Sequence, residues 1–207
     1  ENKIKNRLIM SKKESTFFGM LVSLLVITLI SGLALGYVND LTIGPKAKAK
    51  LEQKVNALKL VLPTFDNNPV EDKKLVKSDK VTDSVEVYPA YLNNEFVGAA
   101  LVGTTDKGFS GLVRIMIGFK PSGEIENVVV LEQKETPGLG TKMKEEKFIQ
   151  QFRGININTF NLKVKKDGGD VDALTGATIS SRAFCDATQM AYDEFIRNNG
   201  SLIESKN

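Results

Sequence analysis

The sequence predicts an α+β fold, a mostly antiparallel sheet with packed helices, tethered by one N-terminal transmembrane helix. Three observations predict it. Phe17 to Val38 is an apolar run without a charge. From about Val81 to Gln133, runs rich in β-branched and aromatic residues alternate with turn residues, as in successive strands. From Ile179 onward, apolar residues recur at helical spacing.

Residues 1–16 are polar and basic, with Lys3, Lys5, Arg7, Lys12 and Lys13. The 22 residues of the apolar run reach about 33 Å as a helix, enough to cross a bilayer. A cleaved signal peptide is the rival reading. Its apolar region is shorter, and Ala34-Leu35-Gly36 is only a fair cleavage site. The run is therefore read as a transmembrane helix over 17–38, with lipid as its partner. Lysines on both sides leave the orientation open, with a weak preference for a cytoplasmic N-terminus. In the segment 39–63, Pro45 suits a first helical turn and Pro63 a stop. Leu51, Val55, Leu58 and Leu62 fall on one stripe, so this is an amphipathic linker helix. Residues 64–207 form the main domain.

That domain opens with a polar, irregular stretch over 64–80. VEVYPAY and EFVGAALVGTT then read as strands, with Asn93-Asn94 as the turn between them. GFSGLVRIMIGF leads through KPSG into EIENVVVLEQ, a hairpin with proline and glycine in its turn. The run Val128-Val129-Val130 suits a strand buried on both faces. KETPGLGTKM is a glycine-rich loop, and KEEKFIQQF a short helix. FNLKV is a further strand candidate, and KKDGGDVDAL a loop. Ile179, Ala183, Phe184, Ala187, Met190, Ala191 and Phe195 mark a helix to about Arg197, before a polar tail over 200–207.

Composition excludes several chemistries. There is no histidine, which removes imidazole metal ligands and the commonest general base. The one cysteine, Cys185, allows no internal disulfide, no thiolate zinc site and no cluster held by this chain alone. Redox chemistry here would belong to an organic cofactor. No metal site and no catalytic residue is expected. Residues 1–63 hold ten Lys/Arg against four Asp/Glu, and residues 64–207 eighteen against twenty-one. The basic excess flanks the apolar run, as near anionic headgroups. The acidic remainder argues against nucleic acid as a partner.

Two loops carry the candidate site. In DALTGATISS, Thr178 stands at the mouth of the last helix. It can cap that helix through its hydroxyl. The same geometry can instead hold a phosphate, because first-turn amides lack partners and the helix dipole is positive there. Gly176 and Ala177 would let a phosphate approach the backbone, and the Thr178 hydroxyl would be placed to become a phosphoester. The second loop, ETPGLG from Glu135 to Gly140, offers a backbone wall for a flat ligand, with Leu139 as an apolar contact.

Together, GFSGLVRIMIGF, GEIENVVVLEQKETPGLGTK and DALTGATISS, in that order behind one membrane helix, carry a resemblance. They resemble the FMN-binding domain shared by the G subunit of the Rnf electron-transport complex and the C subunit of the sodium-translocating NADH:quinone oxidoreductase. The resemblance runs from about Val81 to Arg197. The family's flavinylation pattern is matched by Asp172, Thr175, Gly176, Ala177 and Thr178. Length and simplicity are closer to the Rnf protein.

The resemblance implies FMN held covalently by a phosphoester to Thr178 and installed by a separate flavin transferase. It implies an extracytoplasmic domain on a bacterial cytoplasmic membrane. Gly176, Ala177, Ile179 and Ser180 would hold the phosphate. Thr136, Pro137, Gly138, Leu139 and Gly140 would flank the ring. Asp172 would direct the transferase or order its loop, and Glu135 would order its own. Lys142 would favour anionic reduced flavin or stand in solvent. The implied activity is one electron-transfer step in an ion-translocating ferredoxin:NAD⁺ oxidoreductase, with other membrane subunits as partners. A subunit of the quinone reductase, a flavin-based sensor and a cofactor-free structural or binding protein are the alternatives.

Overall fold

The computed structural model describes residues 17–76 and 85–204. The basic tail, the start of the strand region at Val81 and the last three residues lie outside the described residues. The chain divides into two compact units, Glu1–Lys50 and Leu51–Asn207.

In the first unit, residues 17–50 belong to helix α1, Phe17–Val61. An 18-residue window there has a mean hydropathy of 2.4 and none of it is buried. Three of its hydroxyls, those of Ser23, Thr28 and Thr42, turn back onto the helix. Ser23 donates to the Gly19 carbonyl at 2.8 Å, and Thr28 to that of Leu24 at 3.0 Å. Each of these polar groups is thereby satisfied within its own helix, as a hydrocarbon surrounding requires. The sequence predicts a helix start at Pro45, yet Pro45 stands inside α1. The helix runs through Gly44-Pro45 and forgoes the hydrogen bond that the proline cannot donate.

The second unit is a five-stranded antiparallel meander. Its strands are β1 (Lys74–Val76), β2 (Val85–Leu92), β3 (Glu95–Gly108), β4 (Gly111–Phe119) and β5 (Ile125–Gln133), neighbours in chain order. Asn93 and Asn94 both take positive φ, 51° and 66°, the twist of a tight hairpin turn. The strands' period-two alternation feeds two cores. Val113, Ile115, Ile117 and Phe119 of β4 face helix α3 (Thr178–Glu204), meeting Phe184, Ala187 and Phe195. Met116, with Tyr88, Ala100 and Val102, faces the other way, against Ala57, Leu58 and Val61 at the end of α1. The linker stripe therefore packs on the domain, though Leu51 is exposed and Val55 only half-buried.

Two glycines set how closely the helices approach. A Cβ on Gly103 would lie 2.1 Å from the Ala187 carbonyl oxygen of α3. One on Gly118 would lie 1.8 Å from that of Val61 in α1. Only a bare backbone fits at either place.

Four expectations need correction. The stretch 64–80, predicted irregular, contains β1, whose three residues pair with β2. FNLKV is not a strand. Asn161 is tied instead to the Asp170 carboxylate and the Gly168 carbonyl, leaving a single bridge between Val164 and Val171. The last helix runs past Arg197 to Glu204, so the predicted tail is helical over 200–204. Ile179, predicted on the buried stripe, is 46% exposed. KEEKFIQQF forms helix α2 (Glu146–Ile149) and a further 3₁₀ turn over Gln150–Phe152.

Candidate flavin site

β3 ends at Gly108 and β4 begins at Gly111, so Phe109 and Ser110 form the tip of their hairpin. The sequence pattern runs these two residues into the strand. Just beyond β5, the loop from Glu135 to Gly140 passes beside this tip. Within it, Leu139 and Thr141 donate their amides to the Thr136 carbonyl, at 3.2 and 3.4 Å. The Thr141 hydroxyl accepts the Gly138 amide at 3.0 Å.

The third wall is the start of α3. Ala177 donates to the Leu174 carbonyl at 3.0 Å, closing a turn that places Gly176 at φ 74°. The Ser181 hydroxyl accepts the Leu174 amide at 2.9 Å and donates to the Ala177 carbonyl at 3.0 Å. The Ala177 carbonyl also accepts the Ser181 amide, the first hydrogen bond of the helix. Ala177 is thus the N-cap and Thr178 the first helical residue. The capping reading of Thr178 is overturned. Its hydroxyl makes no hydrogen bond among the described residues. The amides of Thr178, Ile179 and Ser180 have no helical carbonyl to pair with, so this end carries the positive pole of a long helix.

Glu135 joins the three walls. Its side chain is 4% exposed. One carboxylate oxygen accepts the Ser110 amide at 3.1 Å, and the other accepts the Ser180 hydroxyl at 2.5 Å. Its own amide donates to the Gln133 side-chain oxygen at 2.6 Å.

The walls enclose a cavity of about 330 Å³. Glu135, Thr136, Leu139, Gly140, Gly176, Ala177, Thr178, Ile179 and Ser180 line it, all residues singled out from the sequence. Phe109 is the tenth, and sequence reasoning does not find it. Its signal is the GFSG hairpin, which the resemblance uses as a motif without giving its phenylalanine a place. Pro137 and Gly138 shape the loop but are exposed outside this lining. Lys142, Asp172 and Thr175 line a neighbouring cavity of about 510 Å³ with Phe148, Gln151 and Leu174. Asp172 pairs there with Lys165 at 2.8 Å.

The family described as the FMN-binding domain matches residues 108–193, from the hairpin tip through most of α3. A Shewanella piezotolerans protein, named as the G subunit of an ion-translocating oxidoreductase complex, is 31% identical, over 94% of this chain and 95% of its own. One of the same name from Cereibacter sphaeroides is 32% identical, over 89% of this chain and 86% of its own. This chain belongs to that G-subunit family. Among solved structures, the C subunit of the Na⁺-translocating NADH-quinone reductase of Parabacteroides distasonis is 21% identical. The match covers 77% of this chain and 85% of that one, with a TM-score of 0.48.

The residues present fit FMN. An unpartnered hydroxyl sits among free helix amides, which suits a phosphate. Leu139 packs within 3.3 Å of where a Gly176 Cβ would stand, so any side chain there would push into the cavity wall. Exposed apolar side chains at the rim suit an aromatic ring. Cys185, in contrast, is 4% exposed, and burial pushes its thiol up to about 12. It is an inert thiol on the buried face of α3.

Proposed function

We propose that this chain is a membrane-anchored flavoprotein subunit that carries FMN on Thr178 and relays electrons within an ion-translocating ferredoxin:NAD⁺ oxidoreductase. The observation that carries it is the Thr178 hydroxyl. It stands unpartnered at the first helical position, inside a cavity built from three motifs of the FMN-binding family. Family membership over nearly the whole chain supports the complex. It favours the G-subunit reading over the quinone-reductase one.

FMN, once bound, accepts and releases electrons one or two at a time. The chain's residues hold it. The amides of Thr178, Ile179 and Ser180 donate to the phosphate oxygens, and the helix dipole offsets their charge. Gly176 keeps that approach free of side chains. Glu135 holds the hairpin tip and the helix start in register, and Leu139 excludes water from one side of the ring. Attachment through Thr178 keeps the flavin from leaving into the extracytoplasmic space. Asp172 lies outside the cavity and is exposed, and its role in this reading is recognition by a flavin transferase. The apolar segment of α1 anchors the chain in the cytoplasmic membrane, with the N-terminus inside. Phe17 to Val38 has no charged residue, so the ion path belongs to partner subunits.

Intact mass of the denatured chain tests this, with native protein beside Thr178→Val. The expected adduct is one FMN less one water, roughly 440 Da, present in the native chain and absent from the variant. A native chain of unmodified mass, purified from its own host, would overturn the reading.

A further inference from the structure

Three large apolar side chains ring Thr178, and each comes from a different part of the fold. Leu139 is 42% exposed in the loop after β5, Ile179 is 46% exposed in the first turn of α3, and Phe109 is 66% exposed at the hairpin tip. Hairpin tips favour Gly, Asn, Asp and Ser, so an aromatic there calls for a reason. Elsewhere in the second unit, exposed large hydrophobics are scattered singly, as at Leu51, Leu60, Leu75 and Ile196. These three instead line one cavity.

The tip is also held in place. Ser110, next to Phe109, donates its amide to Glu135, and Glu135 accepts the Ser180 hydroxyl of α3. Gly108 pairs with Gly111 across the hairpin. A Cβ on Gly108 would lie 2.5 Å from a Glu135 carboxylate oxygen, so the backbone of the tip touches the Glu135 side chain directly. The aromatic is presented by anchored backbone.

We infer that Phe109 is an aromatic wall for the isoalloxazine ring, completing with Leu139 and Ile179 an apolar frame around the flavin on Thr178. This rests on the flavin reading above and assigns a residue that neither the flavinylation pattern nor the glycine loop contains. An aromatic face gives a flat, polarizable ring an offset-stacked neighbour. It also withholds water from that side, which disfavours the charged, reduced form of the ring.

The sequence contains no tryptophan, which gives a clean test. Full-length Phe109→Trp is made in a flavin-loading host, beside wild type and Leu75→Trp. Leu75 is 64% exposed on β1 and outside the cavity. An indole in contact with a flavin quenches its emission by electron transfer. Phe109→Trp should keep the mass adduct and lose flavin fluorescence several-fold. Leu75→Trp should keep both. Phe109→Ala should keep the adduct and show a weaker visible circular dichroism band. Adduct present with emission equal to that of Leu75→Trp overturns the Phe109 assignment alone. No adduct in wild type overturns the flavin reading and this inference with it. Because Phe109 is exposed, unchanged thermal unfolding of the variants serves as the folding control.

Discussion

Replacing Gly103 by alanine adds one carbon at the contact between β3 and α3. That carbon would stand 2.1 Å from the Ala187 carbonyl oxygen, 2.8 Å from its carbon and 3.3 Å from Ile117 Cδ1. Relaxed contacts between heavy atoms lie at about 3.5 Å or more, so α3 must withdraw by more than about 1 Å. The atom in the way is backbone, which cannot rotate aside. A gap of about 1 Å forfeits up to half of each dispersion contact it opens. The buried side chains of α3 that feel it include Phe184 and Ala187. Overpacking of this kind costs about 1–3 kcal/mol, and a backbone clash belongs at the upper end. For a chain of this size, that lowers Tm by about 5–10 °C. Cys185 supplies the assay. It is the only cysteine, it is buried, and it reacts with a fluorogenic maleimide only on unfolding. The melt is read in detergent, with far-ultraviolet circular dichroism alongside. Gly200→Ala is the control, since nothing lies within 4 Å of that position in the same helix. It should be neutral or slightly stabilising. Equal Tm values for Gly103→Ala and Gly200→Ala would refute close packing as the reason for Gly103.

Two further outcomes follow from the polar groups. Glu135→Ala leaves the Ser110 amide and the Ser180 hydroxyl without their acceptor, at about 2–3 kcal/mol. Glu135→Gln should recover most of it, because an amide can accept from Ser110 and donate to Ser180; equal losses in the two variants would sink the bridging role. Burial pushes the Glu86 carboxyl up, but hydrogen bonds from Lys54, Tyr88 and Lys73, with the charge of Lys54, bring it down to about 2 from its ordinary 4.5. A depressed carboxyl stabilises the fold fully above pH 4.5 and loses that contribution as the pH falls toward 2. Allowing for solvent screening, the loss is about 1–2 kcal/mol. Urea midpoints of wild type and Glu86→Gln should converge across that window; a constant gap between them would show that Glu86 contributes nothing through its charge.

The strands β2 to β5 are legible because alternation and turn chemistry agree there, as at Asn93-Asn94. β1 is not, since Lys74-Leu75-Val76 is too short to show a period and exists by pairing with β2. FNLKV has the alternation of a strand, but Asn161 and Asp170 offer its backbone a competing local partner. Asn198-Asn199-Gly200 reads as a stop, though α3 continues through it. At the site, the glycine loop and the threonine turn are legible as motifs. Their division between two cavities is not, because it depends on which way the chain leaves Thr175 and Lys142. Phe109 is hidden by its neighbours, since a strand and a two-residue tip look alike in GFSG.

The frame around Thr178 is assembled from segments near residues 109, 135 and 178, joined through one carboxylate. No short peptide cut from the sequence contains it, and a nascent chain lacks it until α3 has been synthesised and has docked on the sheet. Any modification that needs all three walls is therefore a late event in biogenesis. The fraction of chains carrying it would then be a record of how many had already folded when the modifying enzyme reached them.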